Sequence, residues 1–403
     1  MKTKLIHRQG PGAPLGLYIH IPFCRRKCAY CDFYSLERAD DDGLKDRYLA
    51  ALLRQMTETA ATVADPVDSV YIGGGTPTVF GADRLAKILD TVSKRFTISK
   101  HAEVTCEANP ESTDKRLMKK LRRAGVNRVS FGVQSTCDEE LKLLGRLHDF
   151  EGAKAAIESA RAAKIDNISL DLMFGIEGQT PESWARTLQD AVALEPKHIS
   201  AYGLKVEEGT PLARRFNVGE AFLPADDDQA DMFDTACRVL SAAGYKHYEI
   251  SNWAKPGYES RHNLRYWRLE PYCGFGAAAH SDCFGVRSAA PRDIEAYMTA
   301  VETDGEVFEE YDRIPDSERA FEFVMLGLRT AEGISKQKLI RTYRLDPDSA
   351  TATLAELESA GLVENSPEAI RLTEKGFLLS NTLILRIFES LEPLRNPFAK
   401  ERT

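Results

Sequence analysis

The chain has 403 residues, of which 43% are apolar and 28% charged, values ordinary for a globular protein that exclude a disordered, collagen-like or disulfide-stapled chain. At roughly 100 to 200 residues per domain, this length predicts two or three domains. With 53 Lys and Arg against 61 Asp and Glu, the net charge is −8, which argues against non-specific binding of polyanions.

Met1 to Gly10 has no apolar stretch after its basic residues. No run elsewhere approaches the roughly 18 apolar residues of a spanning helix, so a cytoplasmic protein without a transmembrane segment is expected. Eight cysteines in that compartment are not expected to pair as disulfides. Cys106, Cys137, Cys237, Cys273 and Cys283 are scattered singly and read as packed thiols. Cys24, Cys28 and Cys31 are bunched.

Short β-branched or aromatic runs predict strands at Leu17–Ile21, Val70–Ile72, Glu103–Cys106, Arg128–Phe131, Ile168–Phe174 and Ile199–Leu204. Helical periodicity follows in Leu44–Thr59, Arg84–Val92, Asp114–Ala124, Glu151–Ala163 and Pro181–Leu194. Thr180-Pro181 supplies a cap and an N1 proline, and Gly125 a helix stop. Six β-α units in series predict a parallel sheet with right-handed crossovers, an open or partial (β/α)6 barrel in the α/β class, with its site at the C-terminal strand ends.

After Leu204 the rhythm changes. The acidic run Asp226 to Asp228 opens a helix that Gly244 ends, and a strand at Tyr248–Ile250 leads into an aromatic, glycine-rich stretch reaching His280. From about Asp316 three helices, a hairpin around Asn365-Ser366-Pro367 and a last helix (Glu374–Ile387) read as a mostly helical, winged-helix-like domain. The predicted domains are 1–245, 246–300 and 301–403. Lys336, Lys338, Arg341 and Arg344 cluster in the last of these, and read as a solvated face and not a nucleic-acid site.

The cysteine spacing is Cys24-x3-Cys28-x2-Cys31. Structural zinc prefers paired C-x2-C knuckles and four ligands; only His20 offers a fourth, and it has a packing explanation in its strand. Three thiolates suit an iron-sulfur cubane with one open iron. Arg25, Arg26 and Lys27 would offset its charge or form a solvated basic turn. The strand ends deliver Gly73-Gly74-Gly75-Thr76-Pro77, Glu107, Gln134 with Ser135, Asp171 and Tyr202 to one rim. Gly274-Phe-Gly276-Ala-Ala-Ala279 mimics a dinucleotide fingerprint, but Pro271 precedes it and no β-α-β unit follows.

With these motifs in view, the sequence resembles the radical S-adenosylmethionine enzymes, whose signature is the Cys24, Cys28, Cys31 spacing followed by Gly-Gly-Gly-Thr-Pro. Tyr18-Ile-His20-Ile-Pro22-Phe23-Cys24, Glu107-Ala-Asn109-Pro110, Gly132-Val-Gln134-Ser135, Gly145-Arg146, Asp171-Leu-Met-Phe-Gly175, Arg371-Leu-Thr373 and Leu379-Ser380-Asn381 narrow it to the oxygen-independent coproporphyrinogen III oxidase group. The resemblance implies a 4Fe-4S cluster on the three cysteines, with S-adenosylmethionine on the open iron as a radical source. It further implies S-adenosylmethionine contacts at Tyr18, Gly74, Gly75, Thr76, Glu107, Gln134, Arg146 and Asp171.

Two departures from the oxidases matter. They have a further cysteine two positions after the third, where this chain has Phe33. And His262-Asn263-Leu264-Arg265-Tyr266-Trp267 resembles the H-N-x-x-Y-W motif of the HemW-type haem chaperones. In that branch His262 could ligate haem iron and Tyr266 and Trp267 could face the porphyrin. The expected function is a haem chaperone delivering haem to an acceptor protein, which could be membrane-associated. The alternatives are coproporphyrinogen III oxidation or radical modification of haem. The branch usually has glycine where this chain has Ala278, and Cys273 also stands at an unusual place.

Overall fold

The computed structural model describes residues 14–283, 285–303, 307–308 and 310–394. Six strands form the framework: β1 (Leu15–Ile21), β2 (Val67–Gly74), β3 (Ile98–Ala108), β4 (Arg128–Gln134), β5 (Asn167–Phe174) and β6 (His198–Gly203). They pair in parallel and in sequence order, Tyr18 opposite Tyr71, Tyr71 opposite Thr105, Gly132 opposite Asp171 and Asp171 opposite Ser200. Each predicted unit is present. The strand order is linear and the sheet does not close, as six units rather than eight require.

Side chains alternate across each strand. One set is apolar and fully buried: Leu17, Ile19 and Ile21, then Val70 and Ile72, Val129 and Phe131, Ile168 and Leu170. The intervening residues Tyr18, Tyr71, Glu107, Ser130, Asp171 and Tyr202 carry polar groups on the opposite face, which supplies the site. The helix over Lys115–Ala124 is capped by Asp114, whose carboxylate accepts from Leu117 N, and stopped by Gly125 at φ +113°. Thr180 and Ser183 form a reciprocal cap with Pro181 at the first helical position.

The sheet extends beyond the six units. Tyr272–Phe275 adds in parallel beside β1, and antiparallel strands His280–Cys283, Val286–Ala289 and Glu310–Arg313 follow outward. On the far side Asn252–Ala254 pairs antiparallel with β6.

Internal contacts resolve two compact units. The first holds the described residues through Lys246 with Ser251–His262 and Pro271–Arg313; the second holds His247–Ile250, Asn263–Glu270 and the described residues from Ile314 onward. Residues 246–300 are thus shared between them. The second unit has the expected helices and wing: Asp316–Gly327, Lys336–Arg341 and Thr351–Ser359, then a three-stranded antiparallel sheet of Ile334–Ser335, Ala369–Leu372 and Val363–Asn365. The final helix is two, Glu374–Leu378 and Ser380–Ser390, divided at Leu379. Among the described residues no helix is long and apolar enough to cross a membrane.

Candidate functional site

β1 runs through Pro22-Phe23 into the cysteine loop, which is tied back by Cys24 N–H to Leu36 O at 2.9 Å and Leu36 N–H to Pro22 O at 2.7 Å. The glycine run that ends β2 lies against it: Gly75 N–H donates to Ile21 O (2.9 Å) and Thr76 N–H to Phe23 O (2.8 Å). A Cβ on Gly75 would stand 2.9 Å from Phe23 O and 3.0 Å from Cys24 Sγ, closer than real carbon contacts. Gly74 has φ +115°, and a Cβ there would strike the His20 ring at 2.7 Å. A Cβ on Gly73 would likewise stand 2.9 Å from Glu107 Oε2 and from the Tyr71 ring, so all three glycines are dictated by sterics.

A cavity of about 140 Å3 opens at this rim. Its walls include Cys24, Cys28 and Cys31 together with Gly74, Gly75, Thr76, Glu107, Gln134, Arg146 and Asp171. Three thiols and most of the predicted polar rim therefore meet in one space. Tyr18 is the exception; it is absent from that lining, with its hydroxyl bonded to His20 Nδ1 (3.0 Å) and its ring stacked on Tyr71.

Arg146 organises one wall. Its guanidinium donates to Asn109 Oδ1 (2.8 Å), to Gly132 O (2.7 Å) and to Cys28 Sγ (3.3 Å), while its Nε is buried without a partner. Asn109 Nδ2 in turn donates to Thr76 Oγ1 (3.1 Å), which is 3.5 Å from Cys24 Sγ. On the other wall Glu107 accepts from the Tyr71 hydroxyl (2.7 Å) and Gly74 N–H (3.1 Å), and Asp171 from Ser130 Oγ (3.0 Å). Burial raises the Glu107 carboxyl to about 7 even though these donors and the Arg128 charge oppose the rise; burial raises Asp171 too. Gln134 accepts from the Tyr202 hydroxyl (2.8 Å) and has φ +69°, a left-handed conformation that a non-glycine residue adopts at a cost.

Tyr202 lines the cavity as the strand-end pattern predicts, whereas Tyr71, Asn109 and Tyr30 belong to this site although sequence reading did not assign them to it. The alternation of β2 with β3 could have flagged Tyr71, two residues before the glycine run on the same face.

Burial raises the Cys24 thiol, and the Cys31 thiol to about 11, so a positive centre is needed to hold them as thiolates near neutrality. His20 does not supply a fourth ligand: Nδ1 meets the Tyr18 hydroxyl, Nε2 meets Tyr34 O (3.0 Å), and burial lowers its pKa to about 4. Phe33 lines the cavity yet is 72% exposed. Arg26 and Lys27 also reach the lining.

The H-N-x-x-Y-W motif lies elsewhere. Its helix, Arg261–Trp267, starts in the first unit and continues in the second. His262 is 0% exposed, with Nδ1 3.0 Å from Ser69 Oγ, its backbone N–H on Glu103 and its ring stacked on Tyr71 (5.3 Å between centroids). Tyr266 and Trp267, in the second unit, are half-buried. Two cysteines read as isolated are neighbours: Cys273 Sγ and Cys283 Sγ are 3.0 Å apart and buried.

Residues 18–191 match the model of the Radical SAM superfamily, and 314–379 that of the HemN C-terminal domain. A Bacillus subtilis protein named heme chaperone HemW is 37% identical over 369 residues, covering 90% of this chain and 96% of that one. The Escherichia coli protein of the same name is 36% identical over 377 residues, covering 92% and 97%. The chain belongs to the HemW family of radical SAM proteins. The solved structure of coproporphyrinogen III oxidase (HemN) from E. coli superposes with a TM-score of 0.82 at 24% identity, over 94% of this chain and 90% of that one, and so shares the fold.

Membership of the radical SAM superfamily implies a 4Fe-4S cluster and S-adenosylmethionine. The HemW-family site fits such groups in its donor set. Three thiols of one loop face a cavity that also presents an orphaned guanidinium nitrogen, two carboxylates and a glycine run whose backbone a ligand can approach.

Proposed function

We propose that this chain is a haem chaperone: it binds haem and passes it to an acceptor protein, while Cys24, Cys28 and Cys31 hold a 4Fe-4S cluster. S-adenosylmethionine would occupy the cavity beside them. Gly74, Gly75 and Thr76 would offer backbone to it, Glu107 and Asp171 would accept from its ammonium and ribose hydroxyls, Gln134 would hydrogen-bond it, and Arg146 would pair with its carboxylate. Tyr18 would act from behind this lining. The bound cluster supplies one-electron chemistry toward the sulfonium; the chain's own residues orient the ligand and hold its charges.

The observation that carries the chaperone reading over an oxidase is Phe33, which stands where the oxidases have a cysteine, in a chain to which the B. subtilis and E. coli proteins named heme chaperone are 37% and 36% identical over 90% and 92% of its length. The shared fold with HemN supports only the architecture. Tyr266 and Trp267 are proposed as haem contacts and His262 as an axial ligand. For His262 to reach iron, its ring must leave the packing with Ser69 and Tyr71.

The test is anaerobic. The reconstituted chain, with S-adenosylmethionine and a reductant, is offered haem in one arm and coproporphyrinogen III in the other. A Soret shift on haem titration and no porphyrinogen product are expected. Protoporphyrinogen formation, or absence of any haem complex, would overturn the reading.

A further inference from the structure

The helix over Lys115–Ala124 reads KRLMKKLRRA, six cations in ten residues on a chain of net charge −8. Met118 and Leu121 are its buried face, so the cations are turned away from the core. Lys120 is engaged by Asp83, and Arg122 donates to Lys164 O at 3.2 Å. Lys115, Arg116, Lys119 and Arg123 have no ion-pair partner among the described residues.

This arrangement works against the helix that carries it. Lys115 and Arg116 sit in the first turn, where the helix dipole disfavours cations. Lys115 with Lys119, Arg116 with Lys120 and Lys119 with Arg123 are like charges four residues apart, which repel on one face. Folding stability therefore does not account for them. They also form one wall of a groove of about 900 Å3 whose opposite wall is Ala86, Asp90 and Ser93 of the Ala82–Arg95 helix. Asp90, the acid in that lining, is already paired with Lys94 at 2.7 Å. The groove is cationic on one side, nearly neutral on the other, and concave.

We propose that this groove binds an acidic segment of a partner protein. A concave slot between two helices admits a chain segment, whereas a flat bilayer meets only the ridge tops. The helix has also spent its apolar face on the core, leaving nothing to insert into lipid. Carboxylates seated between Lys115, Arg116, Lys119 and Arg123 would relieve the repulsion along the helix, so complementarity lies in charge as well as shape. The proposal goes beyond the haem reading and stands whether or not haem is the cargo.

The experiment uses the full chain and a fluorescein-labelled peptide rich in Glu and Asp, read by anisotropy. Binding is expected at low salt and should weaken as salt rises. Lys115→Glu/Lys119→Glu should weaken it by about tenfold or more, without lowering the melting temperature, because the variant places an acid in the first turn and makes the 119/123 pair attractive, which offsets the like-charge pair it keeps at 115/119. Lys336→Glu/Lys338→Glu, which alters a basic helix in the second unit, should leave it unchanged. Carbodiimide coupling should join peptide carboxylates to Lys115 and Lys119, located by mass spectrometry. No peptide binding, equal loss in both variants, or a preference for anionic vesicles or duplex DNA that Lys115→Glu/Lys119→Glu abolishes would each overturn the proposal.

Discussion

The Tyr71 hydroxyl donates to Glu107 Oε1 at 2.7 Å from the adjacent parallel strand, while Gly74 N–H holds the other carboxylate oxygen. Burial nonetheless leaves Glu107 titrating near 7, above its ordinary 4.5. Its folded pKa is raised, so the folded state binds the proton more tightly and stability is greatest below the unfolded value. That contribution is lost as pH climbs from about 4.5 through about 7, a difference of at most about 3 kcal/mol. Glu107→Gln should therefore melt higher than the parent at pH 8 and no higher at pH 4, while its S-adenosylmethionine affinity falls. Parallel melting curves at both pH values would contradict the assignment.

Arg146 makes a different prediction because its fork has three acceptors: Asn109 Oδ1, Gly132 O and Cys28 Sγ. Arg146→Met leaves buried acceptors unpaired, a cost of about 1 to 3 kcal/mol. It should also weaken S-adenosylmethionine binding by about tenfold or more through the lost carboxylate pairing. Arg146→Lys should recover little, since an ammonium cannot reproduce the planar fork. Equilibrium dialysis and thermal melts separate the two effects.

Replacing Cys24, Cys28 or Cys31 singly by Ala should reduce reconstituted iron from about four per chain toward zero, with the far-ultraviolet dichroism unchanged. Replacing Cys106 or Cys237, both buried away from the cavity lining, should leave the iron count intact. Iron and sulfide assays decide it.

His262 can be tested for two roles at once. Its ring packs on Tyr71 and bonds Ser69, so His262→Ala should cost about 2 to 4 kcal/mol of stability. Ser69→Ala removes the hydrogen bond alone and should cost about 1 kcal/mol. If His262 also ligates haem, the Soret shift is lost in His262→Ala and kept in Ser69→Ala. Loss in neither variant would leave His262 a packing residue.

The six β-α units were legible because each strand packs one apolar face against the helices, and the β-branched and aromatic residues around Val70, Val129 and Ile168, each run followed by helical periodicity, carry that mark. The rim was legible because every βα junction delivers a glycine or polar residue to the same strand-end side, although any one of them alone could serve a turn or a helix cap. His262 was not, since a helical histidine beside aromatics looks the same in sequence whether exposed or buried against a strand residue, as it is on Tyr71. Nor was the Cys273–Cys283 contact, made when antiparallel strands fold ten residues back on themselves. β3 begins five residues before its predicted start, at Ile98, because Lys100 and His101 are exposed there and break the apolar run.

Ala278 yields the last prediction, and one particular to this chain. The haem-chaperone branch usually has glycine here, and the backbone shows why: Ala278 has φ +59°, where a Cβ crowds the following carbonyl at a cost of about 1 to 2 kcal/mol. The conformation is held by its surroundings, since Ala278 N–H donates to Pro291 O (2.9 Å) and Ala279 N–H to Gly276 O (3.2 Å). Its neighbours Ala277 and Ala279 are fully buried. The chain therefore cannot relax to a negative φ without breaking a turn fixed at both sides. Ala278→Gly would remove the steric cost but enlarge the unfolded ensemble, which takes back about 0.5 to 1 kcal/mol. The net expectation is a gain of about 0.5 to 1 kcal/mol, read as a higher midpoint in urea with an unchanged slope. A lower midpoint would mean that the alanine methyl makes packing contacts worth more than the strain it carries.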